Sequence, residues 1–122
     1  MSKKIFLSYN MADQGRLVSV IEKLRISSIF AGEDIEIIDP LQEVESTDDL
    51  RTKLTQIIKA SDAVVLIWSS VSVGTDWSWC MYEAGLADAM DKPVIIAVVD
   101  PDAPEIDVRL SRFQVLRMSE KS

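Results

Sequence analysis

The sequence contains no histidine. That removes Ser-His-Asp and Cys-His catalysis, imidazole metal sites and a histidine pH switch together. A single cysteine, Cys80, excludes an internal disulfide and a thiolate metal cluster. Neither a G-x-G-x-x-G stretch nor a P-loop is present, so the common phosphate cradles are missing. Basic residues are outnumbered 13 to 20, giving a net charge of −7, which argues against a phosphate-tracking nucleic-acid binder. Arg109, Arg112 and Arg117 form the only loose basic group and read as solvated surface. Any anion site must therefore be built locally. No apolar run approaches the roughly 18 residues needed to span a bilayer. The apolar stretch Ile5-Phe6-Leu7 after Lys3-Lys4 ends at Ser8-Tyr9-Asn10, too early for a signal peptide. The expectation is a cytoplasmic domain with no membrane partner, no nucleic acid and no metal. Its chemistry is left to carboxylates, hydroxyls, lysines, aromatic rings and backbone groups.

What is present is a globular core. Apolar residues make up 48% of the 122, enough for one domain over residues 1–122. Apolar, β-branched runs cover residues 5–9, 35–38, 63–68 and 94–99, with a weaker fifth at 113–118. The third and fourth are almost unbroken, as suits strands buried on both faces of a parallel sheet. Between them lie helical patterns. Leu17, Val20, Ile21 and Leu24 form one stripe, with Asp13 as a plausible N-cap. Leu50, Leu54, Ile57 and Ile58 form the second, capped by Ser46 or Thr47. The third runs over about residues 76–90, and a short fourth, interrupted by Pro101 and Pro104, is expected between Asp100 and Arg112. This alternation predicts an α/β, flavodoxin-like, doubly wound five-stranded parallel sheet of order 2-1-3-4-5, with helices on both faces. Ligands in such sheets bind beyond the carboxyl ends of the strands at the switch point, here between strands 1 and 3. The loops that matter are then residues 8–13, 39–46 and 69–76.

One residue breaks its own pattern. On a helical wheel with Trp79 at zero, Met90, Leu86, Tyr82 and Ala87 form an apolar stripe, and Glu83 falls inside it at about 40°. Asp88 lies about 180° away, where an acid belongs. An inward carboxylate costs several kcal/mol unless it is paired or its pKa rises. Glu83 either bonds backbone amides near a strand end, snorkels from the stripe edge, or is functional. Trp79 is a packing residue or a stacking platform. Trp77, away from the stripe, is a candidate contact residue, and Cys80 is a small buried filler. Ser8, Tyr9 and Asn10 crowd polar groups at the end of strand 1, where they cap the next helix or line a pocket. Asp39 and Ser69 stand at the ends of strands 2 and 3. A phosphoacceptor receiver is excluded, because the strand ends that would carry its acids hold Ser8-Tyr9-Asn10 and Trp68-Ser69-Ser70.

Three segments together resemble the Toll/interleukin-1 receptor (TIR) domain family, of the prokaryotic NAD-cleaving type. Ile5-Phe6-Leu7-Ser8-Tyr9, with Asp13 soon after, looks like its first box. Ser61-Asp62-Ala63-Val64-Val65-Leu66-Ile67-Trp68-Ser69 resembles its third strand, and Trp79-Cys80-Met81-Tyr82-Glu83 its Trp-Cys-x-x-Glu stretch. The second-strand loop, Asp39-Pro40-Leu41-Gln42-Glu43, departs from the Arg-Asp and Pro-Gly of many animal members, and Arg112-Phe113-Gln114 stands where a Phe-Trp box is usual. The chain is expected to be a compact prokaryotic type or a piece cut from a larger protein.

The resemblance implies one of two functions. Many bacterial and plant members cleave the nicotinamide–ribose bond of NAD+, with the glutamate matched by Glu83 as the essential catalytic residue. Others are non-enzymatic adaptors that pair with further TIR domains. In the first case NAD+ is a substrate and no cofactor is needed, with Ser8, Tyr9, Asn10, Asp39, Ser69, Trp77 and Trp79 as the expected substrate-binding residues. Tyr9 would flank the nicotinamide, and Ser8, Tyr9 and Asn10 would together line the pocket beside Glu83, because strands 1 and 3 flank the switch point. The resemblance further implies self-association through the loop from Pro40 to Ser46, and a fused or separate sensor domain in a defence or signalling context.

Overall fold

The computed structural model describes residues 2–9, 15–26, 30, 34–38, 50–70, 78–99, 102, 103, 105, 106, 110 and 113–117. The elements are β1 (Ser2–Ser8), α1 (Leu17–Ile26), β2 (Asp34–Ile38), α2 (Leu50–Ala60), β3 (Ala63–Trp68), α3 (Ser78–Ala89), β4 (Val94–Val98) and β5 (Gln114–Arg117). All four strand pairings are parallel and the order is β2-β1-β3-β4-β5. This is the doubly wound sheet that the apolar runs predict. In the stretch where a fourth helix was expected, the described residues Asp102, Ala103, Glu105, Ile106 and Leu110 carry no α-helix; Pro101 and Pro104 remove backbone donors there.

Every residue of β3 and β4 is buried, the reason their sequences show no polar alternation. The sheet separates two apolar layers. In one, Ile5, Leu7, Val65 and Ile67 meet Val20 and Leu24 of α1. In the other, Phe6, Val64, Leu66 and Trp68 meet Leu54 and Ile58 of α2 and Ala84 and Ala87 of α3. That division follows from right-handed crossovers. The chain steps from β1 outward to β2 and then back across to β3, so α1 covers one face while α2 and α3 cover the other. The reversal puts the topological switch point at the carboxyl ends of β1 and β3, and Ser8, paired with Leu66, is the last residue of β1 there.

The end of α3 is set by backbone geometry. Asp91 adopts a left-handed conformation, φ 59°. Its amide donates to Asp88 O at 3.0 Å and the Lys92 amide to Ala87 O at 2.9 Å. This is the Schellman closure, in which a left-handed residue lets two amides satisfy the last free carbonyls. Pro93 then directs the chain into β4, its carbonyl accepting from the Val64 amide at 2.9 Å. No described helix is long and apolar enough to cross a membrane.

Candidate functional site

Glu83 lies in the sixth position of α3, on the face turned toward the sheet, and is 1% exposed. Its immediate buried companions on the helix are Ala84 and Ala87, while Met81, Leu86 and Met90 are half-buried at the margins of the same layer. Among the described residues, Glu83 and Ala87 of the sequence stripe are buried, with Leu86 and Met90 packed at the edge of the same layer. Alanines at the contact let the helix sit close to β3 and β4.

One oxygen of that carboxyl is held. Ser8 Oγ donates to Glu83 Oε1 at 2.7 Å, across 75 residues of sequence, and Ser8 is fully buried. The other is not: Glu83 Oε2 has no hydrogen-bond partner, and it is the sole buried side-chain polar atom of that kind among the described residues. Burial disfavours the ionised form and raises the pKa from 4.5 to about 7, with the Ser8 bond pulling in the opposite direction. Buried polar atoms are nearly always satisfied. An unsatisfied carboxylate oxygen at the switch-point rim of a doubly wound sheet is where a ligand group would be received. In the ionised form Oε2 can accept hydroxyl hydrogen bonds or stabilise positive charge, and in the neutral form the carboxyl can donate a proton.

The expected site residues divide. Ser8 joins Glu83 directly. Ser69 is fully buried immediately after β3, at the same end of the sheet. Tyr9 does not lie beside Glu83 as expected. It packs with Ile5, Leu7, Val20 and Leu24 in the layer of α1. The reason is elementary, since consecutive residues of an extended chain point to opposite faces: if Ser8 reaches α3, Tyr9 faces away. Asn10, Asp39, Trp77 and the loop of residues 40–46 lie outside the described residues, as does the side chain of Trp79, whose backbone belongs to α3. No group of three or more potential metal ligands is found among the described residues. Ser8 is beside Glu83 as the sequence suggests, but its hydroxyl is bonded to the carboxyl, a contact that the sequence gives no sign of.

Three solved structures show how widely this fold is shared. The TIR domain of a Toll-related receptor from Hydra magnipapillata matches at a TM-score of 0.65 and 12% identity, covering 93% of this chain and 82% of that one. A CMP N-glycosidase from Clostridium botulinum matches at 0.56 and 18% identity, covering 97% and 88%. A 2-deoxyribosyltransferase from Leishmania mexicana matches at 0.55 and 19% identity over 77% of this chain, which spans only 63% of that protein. At these identities the likeness is one of fold. No curated protein matches the sequence. The TIR-domain family model, however, matches residues 5–122, almost the whole chain and including Ser8 and Glu83, and the chain belongs to the TIR domain family.

Proposed function

We propose that this TIR domain cleaves the nicotinamide–ribose bond of NAD+, with Glu83 as the catalytic carboxylate, and that self-association activates it in a defence or signalling context. The observation that carries the reading is the state of Glu83: one oxygen held by Ser8, the other buried and unsatisfied at the switch-point rim. The chemistry suits a chain without histidine. In NAD+ the bond between C1′ and the pyridinium nitrogen breaks with its electron pair passing to the nitrogen, so nicotinamide leaves neutral and needs no acid. The ribose is left as an oxocarbenium-like cation. A single carboxylate meets that demand, through charge and through hydrogen bonds to the ribose hydroxyls. Water then adds to C1′ and loses a proton, giving ADP-ribose; capture of C1′ by the adenine ring of the same molecule would give a cyclic isomer. The shared fold of an N-glycosidase named for CMP is in keeping with this, as a scaffold on which such chemistry is built.

The opposing reading is a non-enzymatic TIR–TIR interaction module, and one observation favours it. At 1% exposure, Glu83 is closed to a substrate in the single chain. Under the enzymatic reading self-association opens access to Glu83, with the loop of residues 40–46 helping to complete the site of a neighbouring copy. One experiment separates the two. The purified domain is incubated with NAD+ at low and high protein concentration and nicotinamide release is followed, alongside capture of a second TIR-bearing protein. Turnover that rises with concentration supports the enzyme. Capture unaffected by Glu83→Gln, with no turnover at any concentration, supports the adaptor.

A further inference from the structure

The geometry points to Ser8 as a positioning residue for Glu83, holding Oε1 so that Oε2 alone faces the substrate, and not as a substrate contact. This rests on the reading of Glu83 as the reacting carboxylate. A serine hydroxyl has one proton to donate, and here it is committed to Oε1 at 2.7 Å. Ser8 is fully buried, and its backbone belongs to an inner strand anchored on both sides, β1 pairing with β2 through Phe6 and Ile38 and with β3 through Ser8 and Leu66. The anchor is therefore rigid, as a support for a reacting group has to be. Glu83 sits on a separate helix, and the bond ties that helix to the strand at the buried carboxyl. With Oε1 fixed, rotation of the carboxyl is restrained, and the unsatisfied Oε2 is presented in one orientation. Burial and this one hydrogen bond are the two influences on the titration of Glu83, so removing the bond leaves burial unopposed.

The test uses the whole chain as wild type, Ser8→Ala and Ser8→Thr, with two readouts. The first is direct NMR titration of the Glu83 carboxyl carbon, assigned by its disappearance in Glu83→Gln. Ser8→Ala should move the midpoint upward and Ser8→Thr, which keeps a donor, should return it toward wild type. The second is NAD+ turnover, where Ser8→Ala should lower kcat on the order of 100-fold through misplacement of the carboxyl, with KM little changed and the acid limb of the pH profile shifted upward. An unmoved Glu83 midpoint in Ser8→Ala overturns the assignment, whatever the activity. So does a raised KM with kcat and pH profile unchanged, the signature of a substrate contact. If the threonine methyl is not accommodated, the alanine titration decides alone. Absence of turnover in wild type defeats the NAD+ reading instead, and the titration still tests the bond.

Discussion

Ser8 and Glu83, 75 residues apart, meet through a 2.7 Å hydrogen bond that joins an inner strand to the helix after β3. The bond leaves the carboxyl half satisfied in a site closed to water. Burial places its pKa at about 7, so the protonation state of Glu83 changes within the physiological range and every property that depends on its charge should change with it.

The first consequence is kinetic. Stabilising an oxocarbenium-like ribose requires ionised Glu83, so kcat/KM for NAD+ should be low in acid, rise with pH and level off above about 7. The positive pyridinium favours the ionised carboxylate, so the limb in kcat should lie at lower pH than the limb in kcat/KM. A carboxyl acting as general acid would show the reverse, with activity falling as pH rises. Initial rates from pH 5 to 9 distinguish the two.

The second is thermodynamic. Between the unfolded pKa of about 4.3 and the folded value of about 7, the folded state keeps a proton that the unfolded state has released. Stability is therefore fully present below the unfolded pKa and lost as pH rises through the folded one, by on the order of 3 kcal/mol. Glu83→Gln keeps the shape and the acceptor for Ser8 without the charge. It should raise Tm at pH 8 and leave it nearly unchanged at pH 4. A loss of stability at pH 8 would mean that the carboxylate is a structural group with partners.

Much of this was legible in the sequence. The unbroken runs 63–68 and 94–99 suit strands covered on both faces, and their alternation with helical stripes makes the flavodoxin-like order 2-1-3-4-5 the common solution for five strands. Glu83 was legible as an acid inside an apolar stripe. The inward face is the one the wheel indicates for Glu83 and Ala87, with Leu86 and Met90 packed at its edge, while the buried Ala84 lies outside the stripe because a small residue gives little signal on a wheel. Tyr9 was placed by its position at a strand end and not by the two-residue period of the strand, which puts it opposite Ser8. The Ser8–Glu83 bond depends on how α3 is set against β1, a tertiary fact that no local pattern encodes.

Helix α3 and the turn that closes it each carry a position where the backbone and the residue type disagree, and both should yield to substitution. Gly85 is exposed in mid-helix and an added Cβ meets nothing within 4 Å. Gly85→Ala should stabilise the fold by about 0.5–1 kcal/mol. Asp91 holds a left-handed conformation at the helix end that glycine adopts without strain, so Asp91→Gly should gain up to about 1 kcal/mol. Thermal unfolding of each variant checks this, with a rise of roughly 4 °C per kcal/mol expected; a fall in Tm for both would show that the helix end is not built as described.

Self-association bears on the proposed activity because Glu83 is closed to solvent in the single chain. If the loop of residues 40–46 of one copy completes the site of the next, the contact is head-to-tail and builds open filaments, and specific activity should rise more than linearly with protein concentration. Leu41→Arg, which places bulky charge in the loop of residues 40–46, should reduce both assembly and turnover. Turnover per chain that stays constant well below any detectable association would remove the requirement while leaving the role of Glu83 intact.

The most direct measurement is a proton-NMR time course of nicotinamide release from NAD+ at high protein concentration and pH 8, comparing wild type with Glu83→Gln. At that pH the variant is expected to be at least as stable as wild type, so lost activity cannot come from unfolding. The expected result is steady release by wild type and a loss of at least about 100-fold in the variant, within the range set by a single preorganised electrostatic group. Comparable release by the two proteins, with both folded, would contradict the assignment of Glu83 as the catalytic carboxylate.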